Sequence, residues 1–354
     1  MDMKPKLLMT PGPTVVPDKV LKAMSQPIIH HRTPEFTDFV RESSERLKPI
    51  FKTDNDTFIM AGSGTAGMEA SIASTISPGD HVVSVVSGKF SERYRDIAKA
   101  FGADVTEIDY EWGKEIDTGK IKDALKEDTK AITVVQNETS TGVLNPIWEI
   151  GEMTKDSETL LCVDTISCLA GDEVKVDDWN VDICVSGSQK CFSMPPGLAF
   201  VSVSEKAWKA VETSERNVYY NNLMKFKKKY PKPPWTPAIS TLYGLEVALD
   251  IIEEEGIDNR IERHKKNADY CREKVQEMGL DLFPENCDIC SNTLTSIEDD
   301  EAEFIRKRLN EDYDILVAGA QKHMKGKMFR IGHMGEVGRE ELERTLFALS
   351  EILR

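Results

Sequence analysis

The chain has 354 residues, 40% hydrophobic and 30% charged, with 61 acidic against 45 basic side chains and a net charge of −16. That length can bury one large core or two unequal ones. A field of that sign disfavours nucleic acid and anionic membranes as partners, and no run approaches the roughly 20 apolar residues of a membrane span. Met1 to Pro17 carries neither the basic start nor the apolar run of a secretory signal, so a soluble, cytoplasmic protein is expected.

The first clear strand is Thr57 to Met60, followed by a Gly/Ser turn from Ala61 to Gly67 and a helix of small residues from Met68. His81–Val86 (HVVSVV) is a second strand, then a helix over Ser91–Phe101 and a strand near Val105–Ile108. Ala131–Val135, Leu160–Val163, Val181–Val185 and Leu198–Val203 follow as short apolar runs. Continuous apolar strands alternating with helices predict an α/β core, a mostly parallel sheet covered on both faces. The basic block Lys225–Lys232 (KFKKKYPK) runs into Pro-rich sequence and reads as a solvated connecting loop.

After Pro237 the pattern changes. Helices are expected over Ile239–Glu255 and, beyond the Gly256 break, Asp258–Met278. Strands near Asn292–Ile297, Ile315–Ala318 and Met328–Ile331, a helix over Ala302–Asn310 and a closing helix from Arg339 complete a smaller α+β unit from about residue 257. The seven cysteines are an odd number in a chain too long to need disulfide staples, so reduced thiols are expected. Cys287 and Cys290 form a CxxC, but no second CxxC or nearby His completes a zinc site; the pair reads as structural.

Three features carry chemistry. Ser186-Gly187-Ser188-Gln189-Lys190 directly follows a buried strand, with small residues ahead of the lysine that let a flat ring and a phosphate come close. An amine in such apolar surroundings is pushed toward its neutral, nucleophilic form. Asp164 ends the strand LLCV, at the carboxyl end where ligands of parallel sheets collect, and a buried carboxylate there needs a cationic partner. Gly62-Ser63-Gly64-Thr65-Ala66-Gly67, between a strand and a helix, has the form of a phosphate cradle. Its spacing also matches GxGxxG, so a nicotinamide-dependent dehydrogenase competes, although the region that should close on an acidic residue reads SVVSGKF.

The set PGPT at 11–14, AGSGTAGMEA at 61–70, NETSTG at 137–142, VDTIS at 163–167, SGSQK at 186–190 and FRIGHMG at 329–335 resembles the class V aminotransferases. Within them it is most similar to the alanine–glyoxylate and serine–pyruvate group. The motifs appear in the family's order and span nearly the whole chain. The resemblance implies the pyridoxal-phosphate-dependent transferase fold of type I: an arm over 1–18, a large domain over 19–256 built on a mostly parallel seven-stranded sheet, and a small α+β domain over 257–354.

It also implies a site. Lys190 would form the imine with pyridoxal 5'-phosphate and shuttle the proton, and Asp164 would pair with the pyridine nitrogen. Phe90, where the family often has Trp, would stack on the ring, with Ile166 on the opposite face and Thr139 on the phenolic oxygen. Ser63, Gly64, Thr65 and Gln189 would hold the phosphate. Thr236 would reach the phosphate in a neighbouring subunit, which implies a homodimer with sites at the interface; Pro233 stands where the family often has a Tyr. Arg330 would clamp the substrate carboxylate, Gly12 would shape the pocket, and His31 and Arg32 would reach a distal anion from the partner.

The implied reaction is ping-pong transamination through pyridoxamine phosphate. The amino group passes from a small L-amino acid (alanine, serine, aspartate or phosphoserine) to a 2-oxo acid such as glyoxylate or pyruvate. A rival on the same fold is cysteine desulfuration, for which Cys287 and Cys290 are candidates by count alone.

Overall fold

The structure is a computed structural model that describes residues 6–215 and 218–354; the first five residues of the expected arm lie outside them. Strand β1 (Leu7–Met9) precedes helices α1 (Asp18–Met24) and α2 (Pro34–Phe51). Then come β2 (Asp56–Ala61), α3 (Gly64–Thr75), β3 (His81–Val86), α4 (Lys89–Ala100), β4 (Asp104–Asp109), α5 (Thr118–Ala124) and β5 (Thr129–Val135). A short hairpin, β6 (Asn137–Glu138) and β7 (Val143–Leu144), leads to α6 (Ile147–Thr154), β8 (Leu160–Asp164), β9 (Ile183–Gly187) and β10 (Leu198–Val203). Helices α7 (Glu205–Thr213), α8 (Leu223–Lys229), α9 (Ile239–Glu255) and α10 (Ile257–Glu277) follow. The chain closes with β11 (Asp281–Leu282), β12 (Leu294–Glu298), α11 (Ala302–Asp312), β13 (Ile315–Gly319), β14 (Met328–Gly332) and α12 (Arg339–Ile352).

A seven-stranded sheet runs in the order β2-β10-β9-β8-β5-β3-β4. Strands β9, β8, β5, β3 and β4 pair in parallel, and β10 lies antiparallel between β9 and β2. The mainly apolar strands behave as their composition requires: every residue of β3, β8, β9 and β10 is buried. Leu47 and Ile50 of α2 and Leu245 and Leu249 of α9 cover one face. Met68 and Ile72 of α3, Tyr94 of α4 and Val211 of α7 cover the other. Each such side chain withdrawn from water contributes about 1.5–3 kcal/mol. The small residues of α3 let it press close: a Cβ on Gly67 would sit 2.6 Å from Val185 Cγ1. That contact fixes the N-terminus of α3 beside the carboxyl end of β9.

The C-terminal sheet has the order β1-β13-β14-β12-β11, packed against Cys271 and Val275 of α10, Ile305 and Leu309 of α11 and Leu342 and Leu346 of α12. The chain's first strand therefore belongs to its last sheet, β1 running parallel to β13. From β1 the backbone crosses β14 at Gly332, where a Cβ would lie 2.3 Å from the carbonyl carbon of Thr10.

Two sequence expectations shift, and the segment before residue 57 gains elements. The strand expected over Val181–Val185 runs two residues later, which brings Ser186 and Gly187 into the sheet. Residues 225–229 of the basic block are helical, not a loop, because Asn222 caps the turn and Leu223 and Phe226 bury one face of α8. Two of its lysines lie over aromatic faces, Lys225 over Tyr219 and Lys227 over Trp208. The chain before residue 57 also holds α1 and α2. The start of α2 is set by Thr33, whose hydroxyl accepts from Phe36 N at 3.3 Å, and by Pro34 at its first position.

Gly332→Ala would drive a methyl into the Thr10–Pro11 backbone where β14 meets the arm. It should lower stability by about 1–3 kcal/mol, seen as a lower urea midpoint with an unchanged slope. An unaltered midpoint would contradict the crossing.

Candidate active site

The carboxyl ends of the parallel strands meet in one cavity. Val135 ends β5, Asp164 ends β8, and Lys190 lies three residues beyond the end of β9. Gly64, Thr65, Phe90, Thr139, Asp164, Ile166, Gln189 and Lys190 all line this cavity, so eight residues expected at one site come together. This is the position at which open parallel sheets hold ligands.

Asp164 is buried, and its Oδ1 accepts one bond, from Ile166 N at 2.8 Å. Burial pushes its carboxyl up to about 7, against the pull of Lys190 and Arg93. Lys190 is partly open to the cavity and donates through Nζ to the Pro11 carbonyl. Desolvation pulls its ammonium down to about 8, with Asp164 acting in the opposite sense. The arm covers this amine so closely that only glycine fits: a Cβ on Gly12 would lie 2.4 Å from Nζ, and Gly12 has φ of +107°. Thr14 Oγ1 donates to the Lys190 carbonyl at 3.1 Å.

Ile166 packs over the start of α3, with its Cδ1 2.4 Å from where a Gly64 Cβ would be. Phe90, at the start of α4, faces the cavity with Lys190 Nζ 6.0 Å from its ring centroid. Gln189 Oε1 is buried without a hydrogen-bond partner among the described residues. A carboxyl raised by burial, an amine lowered by it and a glycine-rich helix start fit a cationic ring nitrogen, an aldehyde and a phosphate.

Arg330, on β14, does not line the cavity directly. Its Nη1 donates to the Thr139 carbonyl at 2.6 Å and its Nη2 to the Gly319 carbonyl, so it straps the C-terminal sheet to the cavity wall. Burial lowers it to about 10, which leaves it charged at neutral pH. Ser63 is exposed at the N-cap of α3, outside the lining. His31, Arg32 and Thr236 lie away from this chain's own cavity. Arg32 Nη1 approaches the Pro233 carbonyl at 3.5 Å, so the 31–32 and 233–237 segments share one surface.

Sequence reasoning passed over Arg93, Asn137, Ser167 and the Pro11 carbonyl. It also passed over Glu138, fully buried, whose carboxylate accepts from Phe90 N at 3.0 Å, Ser91 N at 2.9 Å and the hydroxyls of Ser91 and Ser140 at 3.0 and 2.6 Å. It holds the start of α4, and with it Phe90, where a negative charge at a helix N-terminus is favoured. The signals were present: Glu138 directly precedes Thr139, and Arg93 stands one helical turn after Phe90.

Two rival chemistries lose their footing. The β2–α3 turn follows an edge strand paired only antiparallel to β10, whereas a dinucleotide fingerprint opens a parallel βαβ unit. Cys287 is exposed and Cys290 buried on a short 3₁₀ turn, and neither thiol lines the cavity at Lys190.

Comparison with known proteins agrees with the geometry. The family model for class-V aminotransferases matches residues 7–327. An uncharacterized aminotransferase of Methanocaldococcus jannaschii is 46% identical over 100% of this chain and 94% of its own length. The serine–glyoxylate aminotransferase of Arabidopsis thaliana is 34% identical over 98% of this chain and 90% of its own. The crystal structure of an alanine–glyoxylate aminotransferase from Nostoc sp. superimposes with a TM-score of 0.96 at 32% identity, covering 100% of this chain and 97% of that one. With matching motifs, fold and cavity, the chain belongs to the class-V aminotransferase family.

Proposed function

We propose that this aminotransferase uses pyridoxal 5'-phosphate, held through Lys190, to move an amino group from a small L-amino acid to a 2-oxo acid such as glyoxylate or pyruvate. The observation that carries the reading is the pairing in one cavity of a buried carboxyl, Asp164, with an amine pulled down to about 8, Lys190. The names of the relatives favour glyoxylate as acceptor and serine or alanine as donor; aspartate and phosphoserine remain in the donor class.

When bound, the cofactor supplies an aldehyde for the amine and a ring that delocalises the electrons of the α-carbon. The protein's residues do the rest. Asp164 keeps the ring nitrogen protonated, and its raised value is relieved once a cation pairs with it. Lys190 Nζ carries the proton to and from the substrate α-carbon, close to the Pro11 carbonyl that orients it. Phe90 and Ile166 hold the ring between them, and Thr139 orients its phenolic oxygen. Ser63, Gly64, Thr65 and Gln189 hold the phosphate, Gln189 through its amide N–H donors, because its Oε1 can only accept. Arg330 receives the substrate carboxylate as a fork, with Gly12 limiting the space above the lysine.

The reading includes a homodimer. Arg32 and Thr236 turn toward a surface that also exposes Ile28 and Tyr219, 67% and 72% accessible. Large exposed apolar side chains beside charged ones are the composition of an association surface. Thr236, His31 and Arg32 would serve the partner's cavity. The domain division at about residue 256 goes with it; no helix among the described residues is long and apolar enough to cross a membrane.

The test is spectroscopic. The purified protein should absorb above about 400 nm from the lysine-bound cofactor, lose that band on addition of alanine or serine, and regain it with glyoxylate. Lys190→Ala should lack both the band and turnover. A band that persists in that variant, or that no donor in a panel of the four bleaches, would overturn the reading.

The amine also sets a pH dependence. A lowered lysine value means that the neutral nucleophile grows as pH rises through about 8. Attachment of added cofactor to the apoprotein should therefore accelerate between about pH 7 and 9, followed as growth of the same band. Acceleration only near 10.5, the ordinary lysine value, would show that the amine is not desolvated.

A further inference from the structure

Arg93 brings a positive charge to the cavity that the site described above leaves unused. It stands one turn after Phe90 on α4, its guanidinium carbon 5.0 Å from the Phe90 ring centroid. Its Nη1 donates to Thr65 Oγ1 at 3.1 Å. No carboxylate among the described residues forms an ion pair with it. Its neighbours on the same helix differ: Lys89 pairs with Glu92 at 3.2 Å, and Arg95 with Asp96 and Glu107. Glu92 is further engaged by Lys322, so it is not held in reserve for Arg93.

An arginine carries five N–H donors, and one is used here. The Phe90 ring packs against the guanidinium, and the contact with Thr65 holds the group at the start of α3 with its other N–H donors unengaged among the described residues. That contact also orients the hydroxyl. Thr65 Oγ1 accepts from Arg93, so its single O–H proton points elsewhere, toward the cavity that both residues line. The first turn of α3 has no acidic residue, and the Ser63 side chain makes no cap bond, so the helix start adds backbone N–H groups without a competing anion.

We propose that Arg93 is a ligand of the cofactor phosphate, acting directly through its free guanidinium edge and through Thr65, whose hydroxyl proton it directs onto the same anion. The proposal rests on the pyridoxal-phosphate reading above. It makes the face of α4 that carries Phe90 serve both ends of the cofactor, the aromatic ring over the heterocycle and the arginine one turn on at the phosphate.

Apoprotein of the full chain, wild type and Arg93→Met, should be titrated with pyridoxal phosphate and separately with pyridoxal, which lacks the phosphate. Binding is read from growth of the band above about 400 nm. The variant should lose affinity for pyridoxal phosphate on the order of 10- to 100-fold, the effect of one hydrogen-bonded charge pair, and keep its affinity for pyridoxal. Arg93→Lys should recover part of the loss. Equal losses for both ligands would show that Arg93 merely supports Phe90, and would overturn the assignment. So would unchanged cofactor affinity with a raised KM for one amino donor, which would put the guanidinium on the substrate. A wild-type apoprotein that develops no band with pyridoxal phosphate would sink the cofactor reading itself, a distinct result.

Discussion

The site is organised around one costly act, the burial of the Asp164 carboxylate with a single backbone donor. Removing an ionised carboxylate from water costs several kcal/mol unless partners replace the solvent. Glu138, the last residue of β6, shows how the protein handles a carboxylate meant only for structure. It collects backbone N–H groups and hydroxyls from α4 and its own loop until its oxygens are satisfied. Asp164 receives no such treatment, although Thr165 and Ser167 flank it closely. Thr165 instead donates to the Val185 carbonyl, and Ser167 to that of Asn137. The local polar groups are turned away, and the acid is left to be paired by something that enters.

The same economy of partners links the two sheets. Asp164 and the strand leading to Lys190 are neighbours because β8 and β9 pair in parallel, Asp164 opposite Val185. Arg330 arrives from the other sheet, on β14. Two of its N–H groups hold backbone carbonyls, one at the cavity wall and one at the end of β13. The arm performs the converse step: β1 is a strand of the C-terminal sheet, and three residues later its Gly12 lies on the lysine of the other sheet. The position of Lys190 relative to Arg330 thus depends on how the two sheets sit together, and a glycine at 332 is needed for the arm to pass.

Much of this was legible in the residues. Buried parallel strands announce themselves as unbroken apolar runs, and the acid and lysine at their ends need only the rule about where such sheets hold ligands. Helix α2 was harder to see, since Phe36, Val40, Leu47 and Ile50 fall on one helical face within a segment crowded by charged residues. The tracts with most information in their composition misled most: the lysine-rich KFKKKYPK reads as solvated, yet Leu223 and Phe226 anchor it as a helix. What no local pattern contains is a contact between distant segments. Arg93 reaching Thr65, Arg330 reaching the Thr139 carbonyl and Gly12 covering Lys190 are set by tertiary packing, and they are the contacts that turn a list of motifs into a cavity.

Arg260 extends that argument behind the site. Its side chain is fully buried at the start of α10, where Nη1 pairs with Glu255 at 2.6 Å and Glu336 at 2.9 Å, and Nη2 donates to the Cys191 carbonyl at 2.8 Å. A buried ion pair is weak grounds for stability, because an apolar replacement of the same shape is often as stable or more so. Its geometric effect is harder to replace. Glu255 ends α9 and Arg260 begins α10 across the Gly256 break, while Glu336 follows β14 and Cys191 follows the lysine. One guanidinium thereby ties the junction of two long helices, the loop after β14 and the peptide beyond Lys190 to a common point. Leucine in its place would fill the volume and leave the Cys191 carbonyl without its donor, so the lysine backbone would be free to drift from the narrow slot under Gly12. The charge thus holds the peptide beyond Lys190 to the helix junction, through the Cys191 carbonyl.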